Sequence, residues 1–119
     1  MGWVVEFHDA YWQELATESI TVQDAVFAMA DVLEEIGPQL GRPRCDTLKG
    51  SAFANMKELR ISLPDGEWRI AFAFDPGRRA ILLVGGSKSG MSQTRFYRQL
   101  IRIADRRFAD HLNSMQDRS

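Results

Sequence analysis

The sequence predicts an α+β fold, in which an antiparallel sheet packs on helices. Apolar residues recur at helical spacing from Val22 to Ile36 and again from Phe96 to Leu112. Between these segments, residues 59–86 contain three strand-forming runs separated by two turns. With 119 residues, of which 45% are hydrophobic, the chain can build one core, so we expect a single domain over residues 1–119.

The N-terminal segment predicts a short strand and then a short helix. Residues 3–7, WVVEF, are rich in strand-forming side chains. Beyond Asp9, four apolar residues fall at helical spacing: Tyr11, Trp12, Leu15 and Ala16.

A second, longer helix follows. Thr21 can cap it by accepting a hydrogen bond from a free backbone N–H, and Asp24 suits the positive end of the helix dipole. Gly37 tolerates the left-handed conformation that often follows a last turn, and Pro38 cannot continue the ladder of hydrogen bonds. We therefore expect this helix to stop at Gly37.

Residues 37–55 predict a connecting loop with one short extended piece at Cys45–Leu48. Three strands follow, at residues 59–63, 68–74 and 79–86. The turns between them contain PDG and DPG, in which proline presets φ and glycine accepts a positive φ. Because Ile81–Val84 is apolar on both alternating sets, the third strand is expected inside the sheet and covered on both faces.

The last helix is predicted to be apolar on one side and cationic on the other. Ser92 or Thr94 can cap it. Its basic residues lie between the apolar positions: Arg95, Arg98, Arg102, Arg106 and Arg107. Residues 113–119 are polar, and we expect them to form a frayed tail.

Side-chain alternation gives the meander one apolar face and one basic face. Leu59 and Ile61 point to the apolar face, whereas Arg60 and Arg69 rise among small residues on the other, which predicts a shallow basic surface. Lys57 has the parity of Leu59, so it reaches the basic surface only if the strand starts later or bulges.

Charge is segregated along the chain. Residues 1–41 contain eight acidic residues and no Lys or Arg, whereas residues 42–119 contain all fifteen Lys and Arg and eight acidic residues. The two parts carry formal charges of −8 and +7, which together give the −1 of the whole chain. This pattern favours a polyanionic partner for the basic part, and two ordinary solvated faces are the alternative.

Several kinds of site are excluded by motif. The glycine-rich stretch Gly85–Ser92 has Met91 where a phosphate-binding P-loop requires Lys. One cysteine, Cys45, and the distant His8 and His111 have no zinc-ligand spacing. We therefore expect neither a metal nor a cofactor.

The sequence also predicts a cytoplasmic protein that does not enter the membrane. Its longest apolar run, Ala80–Val84, is far shorter than the roughly 20 residues that cross a bilayer. The N-terminus lacks the pattern of a signal peptide, and a single cysteine suits a reducing compartment.

A cluster of Arg and Lys beside an aromatic residue is suited to RNA cleavage without a metal. In that reaction the ribose 2′-OH attacks the adjacent phosphate, so a site must accept a proton, stabilise the phosphorane and protonate the leaving oxygen. Arginine grips phosphate through paired donors, and tyrosine stacks on a base or delivers a proton. Basic sheet faces also bind nucleic acids or acidic proteins without cutting them, so both readings stay open.

Three stretches identify a family resemblance: LGRPRCDTLKGSAFANMKELR, EWRIAFAFDPGRRAILLVGGSKSG and RFYRQLIRIADRRFADHL. Together they resemble the phage-derived Gp49-like group of HigB toxins, within the RelE superfamily of type II toxin–antitoxin systems. The resemblance covers about residues 3–112. It implies a RelE-like fold, with an antiparallel or mixed sheet, two N-terminal helices on one face and a C-terminal helix, and an mRNA-cleaving site on the sheet face opposite the helices.

The resemblance also implies which residues act. Arg69 resembles the strand arginine that contacts the scissile phosphate, Lys57 is assigned as the base, and Tyr97 as the acid. Lys88 resembles a basic residue just after the last strand and completes the catalytic set. The expected RNA-binding residues are Arg60, Arg79, Arg95 and Arg98.

The implied activity is that of a metal-independent endoribonuclease toxin, which cleaves mRNA on the ribosome. A helix-turn-helix antitoxin of the HigA type is the implied partner, for which the acidic helices offer a docking surface besides the basic face. The alternative is a non-catalytic binding module, either a degenerate toxin or a phage-associated adaptor. Each site residue also has a structural alternative to its implied role. Arg60 and Arg69 could form ion pairs with Glu58 or Glu67 instead of binding phosphate. Lys88 could simply be solvated, and Tyr97 could serve in packing.

Overall fold

The computed structural model describes residues 2–117. Its three α-helices are α1 (Asp9–Leu15), α2 (Ile20–Ile36) and α3 (Gln93–Asp117), and a 3-10 turn covers Gly37–Gln39. Its five strands are β1 (Val4–Phe7), β2 (Cys45–Thr47), β3 (Met56–Leu63), β4 (Gly66–Phe74) and β5 (Arg79–Ser87). The predicted order of elements is therefore confirmed, including the short extended piece that starts at Cys45.

The five strands form one mixed sheet in the order β1-β5-β4-β3-β2. Strands β2 to β5 pair antiparallel in chain order. The turn signals predicted this for β3, β4 and β5. The N-terminal strand β1 pairs parallel with β5, which therefore lies inside the sheet between β1 and β4.

Helices cover both faces of the sheet. The core on one face joins α1 and α2 to alternate strand residues such as Leu59, Ile70 and Leu82. The core on the other face joins α3 to Ala71, Ala73 and Leu83. The two apolar sets of β5 thus meet different helices, which confirms its predicted burial on both faces.

The expectation of helices on one face and an open surface on the other is wrong for most of the second face. The small residues Ala71 and Ala73 were expected at the floor of an open surface, yet both are fully buried. Their small side chains let α3 approach the sheet closely, and Phe96 and Ala104 fill the contact. Only the end of this face near β2 and β3 stays open.

The cap of helix α2 lies two residues earlier than expected. Ser19, not Thr21, is the capping residue: its hydroxyl accepts a hydrogen bond from the Val22 N–H at 3.2 Å. Ser19 has the extended backbone that a cap requires, whereas Thr21 already lies inside the helix. The predicted stop is confirmed, since Gly37 follows the last turn with a φ of 69°.

Helix α3 is capped by Ser92, whose hydroxyl accepts from the Arg95 N–H at 3.2 Å, and it stays helical through Asp117. The expected tail over 113–119 is thus helical in its first five residues, and the last two lie outside the described residues. Arg107 ties α3 to the sheet by donating to the Leu83 carbonyl at 2.8 Å, and to α1 by pairing with Glu14 at 2.5 Å.

None of the helices within residues 2–117 combines the length and apolarity that a membrane span requires.

The acidic and basic parts of the sequence expose their charges on opposite sides of the sheet. Helix α2 and the turn before it expose carboxylates on one side: Glu18, Asp24, Asp31, Glu34 and Glu35. Helix α3 exposes guanidinium groups on the other side: Arg95, Arg98, Arg102 and Arg106.

Candidate nucleic-acid site at the open end of the sheet

The site is built on a pair of arginines that face each other across two strands. Arg60 of β3 and Arg69 of β4 are directly opposed in the antiparallel register, so both side chains leave the same face. Like charges in this position repel each other unless carboxylates lie between them. Asp46 and Glu58, opposed across β2 and β3 on the same face, supply those carboxylates.

Glu58 is the centre of the cluster, with only 4% of its surface exposed. Its Oε2 accepts from Arg60 Nη2 at 3.0 Å, and its Oε1 accepts from the Tyr97 hydroxyl at 2.8 Å. Arg69 Nε lies 3.7 Å from the same Oε1. Since a buried carboxylate is stable only when it is paired, these three groups are what allow Glu58 to lie here.

Arg69 is nearly as buried, at 8% exposure. It donates from Nε to the Tyr97 hydroxyl at 3.2 Å and from Nη1 to its neighbour's carbonyl, that of Trp68, at 3.0 Å. Glu67 lies 3.5 Å from Nη1 at the exposed edge of the cluster. These contacts fix the plane of the guanidinium group, so its free donors point in one direction.

Tyr97 brings α3 into the cluster, and Lys88 covers its ring. The Lys88 Nζ lies 5.6 Å from the ring centroid, within the range of a cation–π contact. Burial and the hydrogen bond to Glu58 raise the pKa of Tyr97 above its usual value of 10.0, against the opposing effect of Arg69. The phenol therefore keeps its proton at neutral pH and can donate it.

Four of the residues named from the sequence thus meet: Arg60, Arg69, Lys88 and Tyr97. Lys57, which was assigned as the base, does not join them. The β3–β4 register runs from Met56 to Leu63 without a bulge, so Lys57 shares the face of Leu59 and lies near Cys45. Lys57 could reach the cluster only if β3 started later or bulged, and β3 does neither.

Arg79 also lies elsewhere, at the opposite end of β5. It pairs with Asp75 at 3.1 Å and with Glu6 at 3.1 Å, and His111 completes this group at 2.8 Å from Asp75. The contacts link β1, β5 and α3, so Arg79 has a structural role in this structure. Arg95 is exposed on the side of α3 that faces away from the sheet, and Arg98 lies on the same side.

The residue that sequence reasoning missed as a site member is Glu58, which had been considered only as an ion-pair partner. The ion pairs themselves are present, because Arg60 pairs with Glu58 and Arg69 with both Glu58 and Glu67. Side-chain alternation already placed Glu58 on the face of Arg60, which was the available signal. The cluster holds three cationic and three anionic side chains: Arg60, Arg69, Lys88, Asp46, Glu58 and Glu67. Three further basic residues surround it, of which Arg42 pairs with Asp46 while Arg44 and Lys49 line the depressions beside Arg60.

Shallow depressions flank Arg60 on both sides. One of about 290 Å³ lies towards α3 and is lined by Lys49, Glu58 and Tyr97 among others. The other, of about 380 Å³, lies towards Arg44, Glu67 and Arg69. The two give access to the cluster from both sides of the guanidinium group.

Over residues 2–117, the structure contains no group of three or more His, Cys, Asp or Glu that could hold a metal ion.

Comparison with known proteins gives consistent matches. The model of the family described as phage-derived protein Gp49-like matches residues 13–109. Two Mycobacterium tuberculosis proteins that are named as toxins are similar: HigB2 is 46% identical over 98% of this chain and 58% of its own length, and HigB3 is 50% identical over 76% of each chain. The chain therefore spans little more than half the length of HigB2.

Among solved structures, a double mutant of the Escherichia coli toxin RelE in the free state matches with a TM-score of 0.58. The match covers 85% of this chain and 95% of RelE, at 13% sequence identity. This likeness shows a shared, RelE-like fold.

Proposed function

The chain belongs to the phage-derived Gp49-like family, and from this premise we propose that it is the toxin of a type II toxin–antitoxin system that cleaves mRNA without a metal ion. The toxin names of HigB2 and HigB3 support the first part of the proposal. The cluster around Glu58 supports the second.

The observation that carries the proposal is the contact of one phenol with one carboxylate and one guanidinium group. Tyr97 donates to Glu58 at 2.8 Å and accepts from Arg69 at 3.2 Å. A proton donor, Tyr97, is therefore hydrogen-bonded to both a proton acceptor and a phosphate-binding group. These are the three functions that cleavage through the ribose 2′-OH requires.

In the proposed reaction, the 2′ oxygen attacks the adjacent phosphorus and Glu58 takes the 2′-OH proton. The bond from phosphorus to the 5′ oxygen breaks, and Tyr97 gives that oxygen its proton. The products are a 2′,3′-cyclic phosphate and a free 5′-OH. Arg69 and Arg60 stabilise the charge of the phosphorane, and Lys88 adds a further positive charge beside the phosphate.

Substrate binding has to exchange partners within the cluster, because both arginines are ion-paired in the free protein. A phosphate offers Arg60 and Arg69 a second anion with matching paired acceptors. As the arginines turn to it, Glu58 loses donors and becomes a better acceptor for the 2′-OH proton. Binding and activation of the base are thereby one step.

The proposed substrate is mRNA on the ribosome, in the cytoplasm, and the proposed partner is a helix-turn-helix antitoxin of the HigA type. Both follow from the family and not from the geometry of the cluster. The acidic surface of α2 lies on the other side of the sheet, so an antitoxin can dock there without filling the site.

The experiment that tests this function is induced expression of the wild type and of Arg69→Ala and Arg69→Lys, with primer extension on cellular mRNA. Wild type should arrest growth and produce new mRNA ends, and Arg69→Ala should do neither at equal protein level. Arg69→Lys keeps the charge but loses the paired donors, so it should be intermediate. Unimpaired growth and intact mRNA in cells that contain abundant, folded wild-type protein would refute the proposal.

A second candidate function is a binding module without catalysis, and one observation favours it. Glu58 is only 4% exposed and is held by three donors, so a chain that never exchanges these partners would leave the carboxylate unreactive. Such a degenerate toxin or phage-associated adaptor would still bind an antitoxin or RNA. Stable antitoxin binding together with the absence of mRNA cleavage would identify it.

A further inference from the structure

Four arginines form a row along the outer side of α3. Their spacing of three, four and four residues places Arg95, Arg98, Arg102 and Arg106 within about 80° of one another around the helix. The row is about 16 Å long. It lies opposite the apolar side, where Phe96, Leu100 and Ala104 are buried against the sheet. It is therefore a surface separate from the Glu58 cluster.

These four guanidinium groups have no carboxylate partner in the described part of the chain. Within residues 2–117, Arg60, Arg69, Arg79 and Arg107 are all ion-paired, whereas no carboxylate oxygen lies within 4.0 Å of the four in the row. All four are exposed. A shallow depression of about 350 Å³ runs beside Arg95, Arg98 and Arg102. Four cationic side chains on one side of a rigid helix repel one another, and an external polyanion would relieve that repulsion.

We propose that the outer side of α3 is a binding surface for the phosphate backbone of double-stranded RNA. The row is long enough to follow several successive phosphates of one strand of an A-form helix. Proteins recognise duplex RNA mainly through its shape and backbone, which suits a row of charges without base-reading side chains. This contact goes beyond the proposed cleavage and holds RNA at a second place.

The surroundings of the row argue against single-stranded RNA and against a lipid surface as its ligand. Single-stranded RNA is bound through aromatic stacking platforms. The two aromatic residues between Arg95 and Arg106 are Phe96 and Tyr97, and both pack towards the sheet, away from the row. A lipid surface requires exposed apolar side chains beside the cationic ones. The exposed large apolar residues of the described chain all lie outside residues 93–117.

The test is binding of a labelled 2′-O-methyl RNA duplex, which cannot be cleaved through its 2′ oxygen, followed by fluorescence anisotropy between 50 and 200 mM salt. The variant Arg102→Gln/Arg106→Gln removes the two charges farthest from Tyr97. The control Gln13→Glu/Gln39→Glu changes the net charge by the same amount at exposed positions elsewhere on the chain.

Each lost phosphate contact should reduce the salt slope by about 0.9, so wild type should lose roughly tenfold more affinity over this salt range than the double variant. Arg102→Lys/Arg106→Lys and the Gln13→Glu/Gln39→Glu control should keep the wild-type slope. Because the probe cannot be cleaved, the result does not depend on whether the chain is a nuclease. An unchanged slope in Arg102→Gln/Arg106→Gln, an equal change in the control, or equally tight binding of single-stranded RNA or anionic vesicles would overturn the proposal.

Discussion

The Tyr97 hydroxyl donates a hydrogen bond of 2.8 Å to Glu58 Oε1, which joins α3 to β3 across 39 residues of sequence. This contact turns the end of the sheet into a site, because the same hydroxyl accepts from Arg69. It also makes the function of each partner testable by a substitution that changes few atoms.

Tyr97→Phe should lower RNA cleavage by about 10²- to 10⁴-fold, since it removes the proposed proton donor. The free energy of unfolding should fall by about 1 kcal/mol, because the ring stays packed on Phe96 and only the hydrogen bonds are lost. Single-turnover cleavage and urea denaturation measure the two effects. Cleavage at the wild-type rate would show that the tyrosine only holds Glu58 and Arg69 in place.

Glu58→Gln should separate binding from chemistry. The amide cannot act as the base, so cleavage should fall by about 10²-fold or more. Affinity for a non-cleavable RNA should rise, because Arg60 and Arg69 lose their carboxylate partner. Anisotropy and cleavage assays on the same preparation check both results. If the variant binds more tightly and still cleaves, Glu58 is not the base and only holds Arg60 and Arg69 away from RNA.

Lys57→Met should retain wild-type cleavage, although this lysine lies on the same strand as the site. Its side chain leaves the opposite face of β3, so it cannot reach the 2′-OH. Arg60→Met, three residues further along and on the site face, is the matched comparison and should lose activity. Equal losses in the two variants would mean that β3 adopts another register when RNA binds.

Stability should fall in acid through Asp75. Burial raises the pKa of this carboxyl, but hydrogen bonds from His111 and the Arg79 N–H and the Arg79 charge outweigh it, so the pKa lies below 3.8. The folded state therefore binds this proton more weakly than the unfolded chain does. The contribution is complete above about pH 4 and is lost as pH falls through the lowered pKa. Urea denaturation between pH 2 and pH 6 should show a shallower decline in Asp75→Asn than in wild type.

Gly37→Ala should destabilise the protein by roughly 1–3 kcal/mol. Gly37 has a φ of 69°, and an added Cβ would lie 2.2 Å from Trp3 Nε1. The control is Gly41→Ala, where the nearest atom to an added Cβ is 3.9 Å away and φ is not positive. That substitution should be neutral or slightly stabilising. Similar denaturation midpoints for the two variants would contradict the packing of Trp3 against this turn.

Local sequence was sufficient for the elements of this fold. Helix α2 and its stop at Gly37, the three antiparallel strands and the amphipathic α3 all follow from apolar spacing and turn residues, which act within a few positions. The face of each residue in β3 and β4 also followed from alternation, including that of Lys57. In β5 a bulge breaks the alternation and places Leu83 and Val84 in the same core. Charge segregation could be counted directly, and it correctly separated the acidic α2 from the cationic α3.

Only the tertiary structure decided which of these side chains meet. The apolar side of α3 predicts that it buries against something, but not that it covers Ala71 and Ala73 and so closes most of the surface expected to be open. The position of α3 then sets Tyr97 beside Glu58 and Arg69, and the pairing of β3 with β4 opposes Arg60 to Arg69. Such contacts join residues far apart in sequence, so they depend on strand register and helix position, which local spacing does not specify. That is why the expected basic surface proved to have a buried carboxylate, Glu58, at its centre.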